Sequence, residues 1–130
     1  MEQILVPVSP GELLDKITIL RIKSERIVDA HKLAHVRREL ALLELAWQAA
    51  RGTDAGLAAD VAALQRVNGE LWDIEDSIRE HEAQRRFDAA FIELARAVYQ
   101  RNDERAAIKK RINLALDAAI MEEKSYQPYA

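Results

Sequence analysis

The chain has 130 residues, 49% of them hydrophobic and 32% charged, with a net charge of −3 and no cysteine. That length supports one domain with its own core, and the lack of cysteine excludes disulfides, thiolate metal sites and a cysteine nucleophile. The 19 basic and 22 acidic residues are interspersed, so no basic surface marks a nucleic-acid footprint. No uncharged apolar run approaches the roughly 18 residues of a membrane span, and MEQILVPV is too short for a signal peptide, which points to the cytoplasm.

The first apolar stretch, ILVPV at residues 4–8, has no second strand candidate to pair with. It is expected to be an extended arm docked on the rest of the chain or on a partner. Ser9, Pro10 and Glu12 then form a helix start, in which the serine hydroxyl and the glutamate carboxylate reciprocally satisfy two free backbone N–H groups. The first helix should run from Pro10 to about Val28. Leu13, Leu14, Ile17, Leu20, Ile27 and Val28 make one broad stripe, and Ile19 and Ile22 fall outside it. A helix apolar on two sides is buried on two sides, and the second side is assigned to another copy of the chain.

A second helix is expected from about His31 to Ala50, with Leu33, Val36, Leu40, Leu43, Trp47 and Ala50 as a seam. RGTDAG at 51–56 reads as a loop. A third helix carries Leu57, Val61, Leu64, Val67, Leu71, Ile74 and Ile78 on one side, and Gly69 should not break it. The last helix should start at Asp88 as N-cap and reach about Glu123, roughly 54 Å if unbroken. That length overhangs the other helices, so it either breaks near Asn102-Asp103 or extends into a partner. The fold expected is all-α: an antiparallel bundle of about four helices with a short extended N-terminal arm. It forms a single helical domain over 1–130 and a homodimer through helix one or the overhang.

The residues that carry chemistry lie on faces that should be apolar. In VYQRNDERAAIKKRIN (98–113), the inward stripe reads Val98, Asn102, Ala106, Lys109, Asn113, then Leu116. Asn68 and Glu75 fall on the same side as Leu64 and Leu71. Buried charges must find partners, so Glu75 is expected to face Lys109, with Asn68, Asn102, Asn113 and Arg105 completing the hydrogen bonds. Two accounts stay open: a buried network that fixes helix packing, or a binding or catalytic pocket. Glu12, Lys16 and Lys23 line one edge of the first helix and Asp15 and Arg26 another, a pattern that surface ion pairs also produce.

Glu70, Asp73 and Asp76 have the three-residue spacing that puts carboxylates on one helix face. Helical nucleotide pyrophosphatases hold Mg²⁺ in this way. Here, however, the shared edge points away from Leu71 and Ile74, and a second pair, Glu12 and Asp15, lies about 55 residues off. Arg21, Arg26, Arg38, Arg105 and Lys109 supply the cations of a chorismate-mutase-like bundle, without specificity. His31 and His35 have metal-ligand spacing but no third ligand. Tyr126 and Tyr129 suit a segment that docks on the bundle or is recognised by a partner. No metal or cofactor is expected. The reading that follows is a non-enzymatic interaction or small-ligand module, with a Mg²⁺-dependent hydrolase of phosphorylated or nucleotide substrates as the alternative.

GELLDKITILRIKSERI, KLAHVRREL, LWDIEDSIRE, FDAAFIELARAVYQRND, IKKRIN and EEKSY together resemble a family of small bacterial helical proteins of unknown function. The resemblance covers almost the whole chain. It implies a bacterial helical domain and an association with surface-polysaccharide genes and with fusions to glycosyltransferase or tetratricopeptide regions. It brings no catalytic residue. Matching positions are Glu12, Asp15, Lys16, Asp73, Glu75, Asp76, Asn102, Asp103, Arg105, Lys109, Asn113 and Glu123. Arg21 stands where an acid is expected and His35 where an asparagine is expected, which further weakens a histidine metal site.

Overall fold

The computed structural model describes residues 1–51 and 56–129. Four helices follow in order: α1 (Pro10–Arg26), α2 (Ala30–Arg51), α3 (Ala58–Ala83) and α4 (Ala89–Ala115). The described residues contain no strand. The loop expected at 51–56 falls largely on residues 52–55, outside the described residues.

Three of the four helix starts are capped by a side chain, and α3 starts after Leu57 without one. Ser9 Oγ accepts from Glu12 N, Asp29 Oδ1 from Lys32 N, and Asp88 Oδ1 from Phe91 N. Each bond satisfies an N–H that the first turn leaves free. The expected reciprocal bond from the Glu12 carboxylate is replaced, because that carboxylate turns to Lys109.

α1 is the central element. It packs on α2, α3 and α4, whereas the backbone of α2 comes close to α1 alone among the helices. Ion pairs set the directions. Arg21 reaches Glu44 on α2, Asp15 reaches Arg105 on α4, and Arg66, Glu70 and Asp60 on α3 meet Glu104, Arg101 and Arg111 on α4. α3 and α4 therefore run antiparallel; α1 and α4 do too, with Glu12 on Lys109 and Asp15 on Arg105, while α1 and α3 run parallel, with Asp15 on Asn68 and Arg26 on Asp73. The core comprises Leu13, Leu14 and Ile17 of α1, Trp47, Leu57, Leu64 and Val67, and Ile108 and Ile112 of α4. Each such burial contributes roughly 1.5–3 kcal/mol. The second apolar side of α1 needs no other copy to cover Ile22, which is 4% exposed within this one chain.

The N-terminal arm carries no helix or strand, as expected, and the C-terminal end departs from expectation. The arm is not docked on the bundle, for Ile4 and Leu5 are 74% and 83% exposed. α4 runs unbroken through Asn102 and Asp103 and stops at Ala115, so the overhang is absent. Its end is a Schellman motif: Ala118 N donates to Asn113 O, Asp117 N donates to Leu114 O, and Asp117 takes φ +49°. α3 ends in the same way around Arg85, at φ +51°. After Asp117 the sequence is still rich in helix formers, but residues 118–129 fold back along α4. Tertiary bonds from Glu122 and Tyr129 override local propensity there.

Candidate functional site

The site grows from Asp15. Gly11, Asp15, Thr18 and Ile22 share one buried stripe of α1, so the carboxylate enters the space between α3 and α4. It is fully buried. Arg105 grips it bidentately, with Nε to Oδ1 at 2.9 Å and Nη2 to Oδ2 at 2.6 Å. Asn68 Nδ2 donates to the same carboxylate at 2.9 Å and to Thr18 Oγ1 at 3.0 Å, while Thr18 Oγ1 donates to the Asp15 carbonyl. Burying a carboxylate is tolerable only with such partners, and this one has three side-chain hydrogen bonds.

One turn nearer the start of α1, Gly11 lets α4 approach closely. Its N–H donates to Asn113 Oδ1 at 2.7 Å, and a Cβ on Gly11 would stand 2.6 Å from the Lys109 carbonyl oxygen. Lys109 itself is buried, with 8% of its surface exposed. Its Nζ lies 2.7 Å from Glu12, 2.8 Å from Glu122 and 4.0 Å from Asp15. Glu122 Oε1 also meets Lys124 at 2.7 Å.

The segment after α4 makes a strap over this network. One anchor is Glu122 on Lys109. The other is Tyr129, whose ring meets Tyr99 edge-on at 4.9 Å and whose hydroxyl donates to Asp103. Between strap and helix lies a cleft of about 1290 Å³, with Arg105, Lys109 and Glu12 at its floor and Tyr99, Asn102, Tyr126 and Tyr129 on its walls.

The charges are held firmly. The hydrogen bond to Asp15 raises the Arg105 guanidinium further. Burial pushes the Lys109 ammonium down, but Glu12, Glu122 and Asp15 outweigh it and the net shift is upward. Hydrogen bonds from Lys109 and then Lys124 lower the Glu122 carboxyl to about 2. The bond to Glu122 raises Lys124, and the bond to Asp103 raises the Tyr129 hydroxyl. Each of these shifts moves its group away from neutral pH.

Of the residues singled out from sequence, Asn68, Arg105, Lys109 and Asn113 come together here with Glu12 and Asp15. Asn102 is exposed on the cleft wall and accepts from Arg105 at 3.4 Å. Glu75 does not join them. It pairs with Arg79 in solvent, because the α3–α4 register sets Lys109 near the start of α3, roughly 20 Å from Glu75 at 1.5 Å per residue. Asp73 bonds Arg26, and Lys16 and Asp76 are exposed. Glu70, offered as a Mg²⁺ ligand, is taken by Arg66 and Arg101, and among the described residues no three His, Asp or Glu side chains converge as metal ligands. Asp15 was legible only as an edge charge, yet Gly11, Thr18 and Ile22 on its stripe carried the signal of burial. Nothing in residue spacing identifies Glu122, which reaches the site only because the chain reverses at Asp117.

Such a molecule belongs to the class of all-α bundles with a satisfied, buried charge network that opens onto a surface cleft. The chain is a member of the family of unknown function DUF6165, whose model matches residues 4–129 and so includes the strap. No curated protein and no solved structure matches it. No helix among the described residues is long and apolar enough to cross a membrane.

Proposed function

We propose that the chain is a non-enzymatic binding module whose cleft takes a small hydroxyl-rich molecule, and that it serves bacterial surface-polysaccharide assembly in the cytoplasm. The observation that carries this reading is the composition of the cleft. Tyrosine rings at 99, 126 and 129 offer flat apolar faces, and Asn102, Asp103 and Glu12 offer hydrogen-bonding groups around a charged floor. Tyrosine faces beside amides and carboxylates suit the apolar faces and vicinal hydroxyls of a sugar ring. The volume of about 1290 Å³ exceeds the roughly 300–1,000 Å³ of typical ligand pockets, so a disaccharide and its waters fit.

Binding is favoured over catalysis because general acid–base chemistry needs a group poised near working pH. The shifts of Arg105, Lys109, Glu122 and Lys124 all strengthen the charged form. An ammonium held protonated has no lone pair to act as a nucleophile. The association with surface-polysaccharide genes comes from the resemblance of GELLDKITIL and EEKSY to their relatives, and it agrees with a sugar-shaped ligand. A panel of mono- and disaccharides titrated against the ¹⁵N-labelled chain tests the proposal. Saturable shifts confined to α4 from Val98 to Lys109 and to the strap are expected. Absence of such shifts at tens of millimolar sugar would refute it.

A further inference from the structure

We propose that the Lys109 end of the cleft is a carboxylate-binding seat, filled in the closed structure by the chain's own Glu122 and taken over by the acidic group of the ligand. This inference rests on the reading of the cleft as a ligand site, and it narrows the ligand to a singly charged, hydroxyl-rich acid of the uronic-acid type.

Glu122 occupies the position that a ligand carboxylate would. Its two oxygens bridge two ammoniums, Lys109 at 2.8 Å and Lys124 at 2.7 Å. Lys109 and Glu122 differ in burial and in the element that carries them. Lys109 is buried on α4, its backbone pressed against Gly11 and its Nζ held by Glu12. Glu122 stands on the irregular strap, with its side chain 38% exposed. Rotation about its own side-chain bonds takes the carboxylate into water while Lys109 stays in place.

Charge balance then fixes what must replace it. Within the ion-paired network around Lys109, Arg105, Lys109 and Lys124 face Glu12, Asp15 and Glu122, three cations against three acids, while Asp103 stands apart beside Tyr129. With Glu122 swung out, one positive charge is in excess, and a buried ammonium has lost one of its two close partners, a costly state. A carboxylate entering from the cleft restores both neutrality and the hydrogen bond. A dianion would overshoot by one charge beside Glu12 and Asp15, so a phosphate ester fits less well than a carboxylate. The body of the ligand would then lie along Asn102 and the Tyr99–Tyr129 pair, which line the same cleft.

The test compares D-glucuronate with D-glucose, which share a hydroxyl pattern and differ in the carboxylate, by ¹⁵N-resolved titration of the full chain and of Glu122→Gln. Glucuronate should bind the parent at least about tenfold more tightly than glucose. Glu122→Gln removes the internal competitor, so it should tighten glucuronate by about tenfold and leave glucose unchanged. Glucose binding as well as glucuronate would overturn the carboxylate seat while leaving the cleft a sugar site. Neither sugar binding would overturn the functional reading itself, and the seat with it. The parent's preference between the two sugars decides the matter even where Glu122→Gln loosens the strap.

Discussion

Replacing Asp15 by alanine removes the centre of the network, and its cost follows from what is left behind. Arg105 loses both oxygens of its bidentate grip and Asn68 loses one of two acceptors. Breaking a buried ion pair from one side typically costs about 3–5 kcal/mol. The Arg105 side chain keeps 29% exposure and can partly rehydrate, so the lower end, about 3 kcal/mol, applies. Lys109→Met is the informative partner. It releases Glu12 and Glu122, whose side chains are 37% and 38% exposed and return to water, while Asp15 keeps Arg105. That change should cost only about 1 kcal/mol. Urea unfolding followed by far-UV circular dichroism measures both. At a slope of about 1.5 kcal/mol per molar, the midpoint falls by about 2 M for Asp15→Ala and well under 1 M for Lys109→Met. If Lys109→Met costs as much as Asp15→Ala, the network is centred on the lysine and the division into a structural hub and an open seat is wrong. A loss below about 1 kcal/mol for Asp15→Ala would mean the carboxylate is not structurally required.

Two glycine substitutions should have opposite signs. Gly11→Ala drives a Cβ to 2.6 Å from the Lys109 carbonyl and should destabilise by about 1–3 kcal/mol. At Gly69 the nearest atom to a new Cβ is a flexible Arg26 nitrogen at 3.7 Å, so Gly69→Ala should stabilise by about 0.5–1 kcal/mol. Equal effects in thermal melts would contradict the close α1–α4 approach. Asp117→Gly relieves a left-handed residue at φ +49° and should raise stability by about 1 kcal/mol; a decrease would show that the side chain of Asp117, not its backbone, ends α4. The Glu122 carboxyl has a folded value near 2 against an ordinary 4.5. Its contribution is therefore full above about pH 4.5 and fades as pH falls towards 2. Because the group is partly exposed, the contribution stays within about 1 kcal/mol. The carboxyl ¹³C signal of Glu122 should titrate in that low range, and a midpoint near the ordinary 4.5 would refute the pairing with Lys109 and Lys124.

The helices were legible in the chain because their causes are local. Ser9 and Asp88 cap as their side chains dictate, and the 3.6-residue spacing of Leu64, Val67 and Leu71 sets one face of α3. The inward direction of Asn68, Lys109 and Asn113 follows from the same periodicity, and all three are buried. Periodicity gives a residue its direction but not its level along a neighbouring helix. Pairing Glu75 with Lys109 therefore needed the α3–α4 register, which the turn between the helices and the packing of the hairpin decide. Burial of Asp15 depended on α1 lying between three helices, and only the assembled bundle makes α1 central. The end of α4 is the clearest case. Residues 118–123 favour helix, but bonds from Glu122 to Lys109 and from Tyr129 to Asp103 exist only once the chain turns back. Those contacts outweigh a few tenths of a kcal/mol per residue of helix propensity, and they build the cleft.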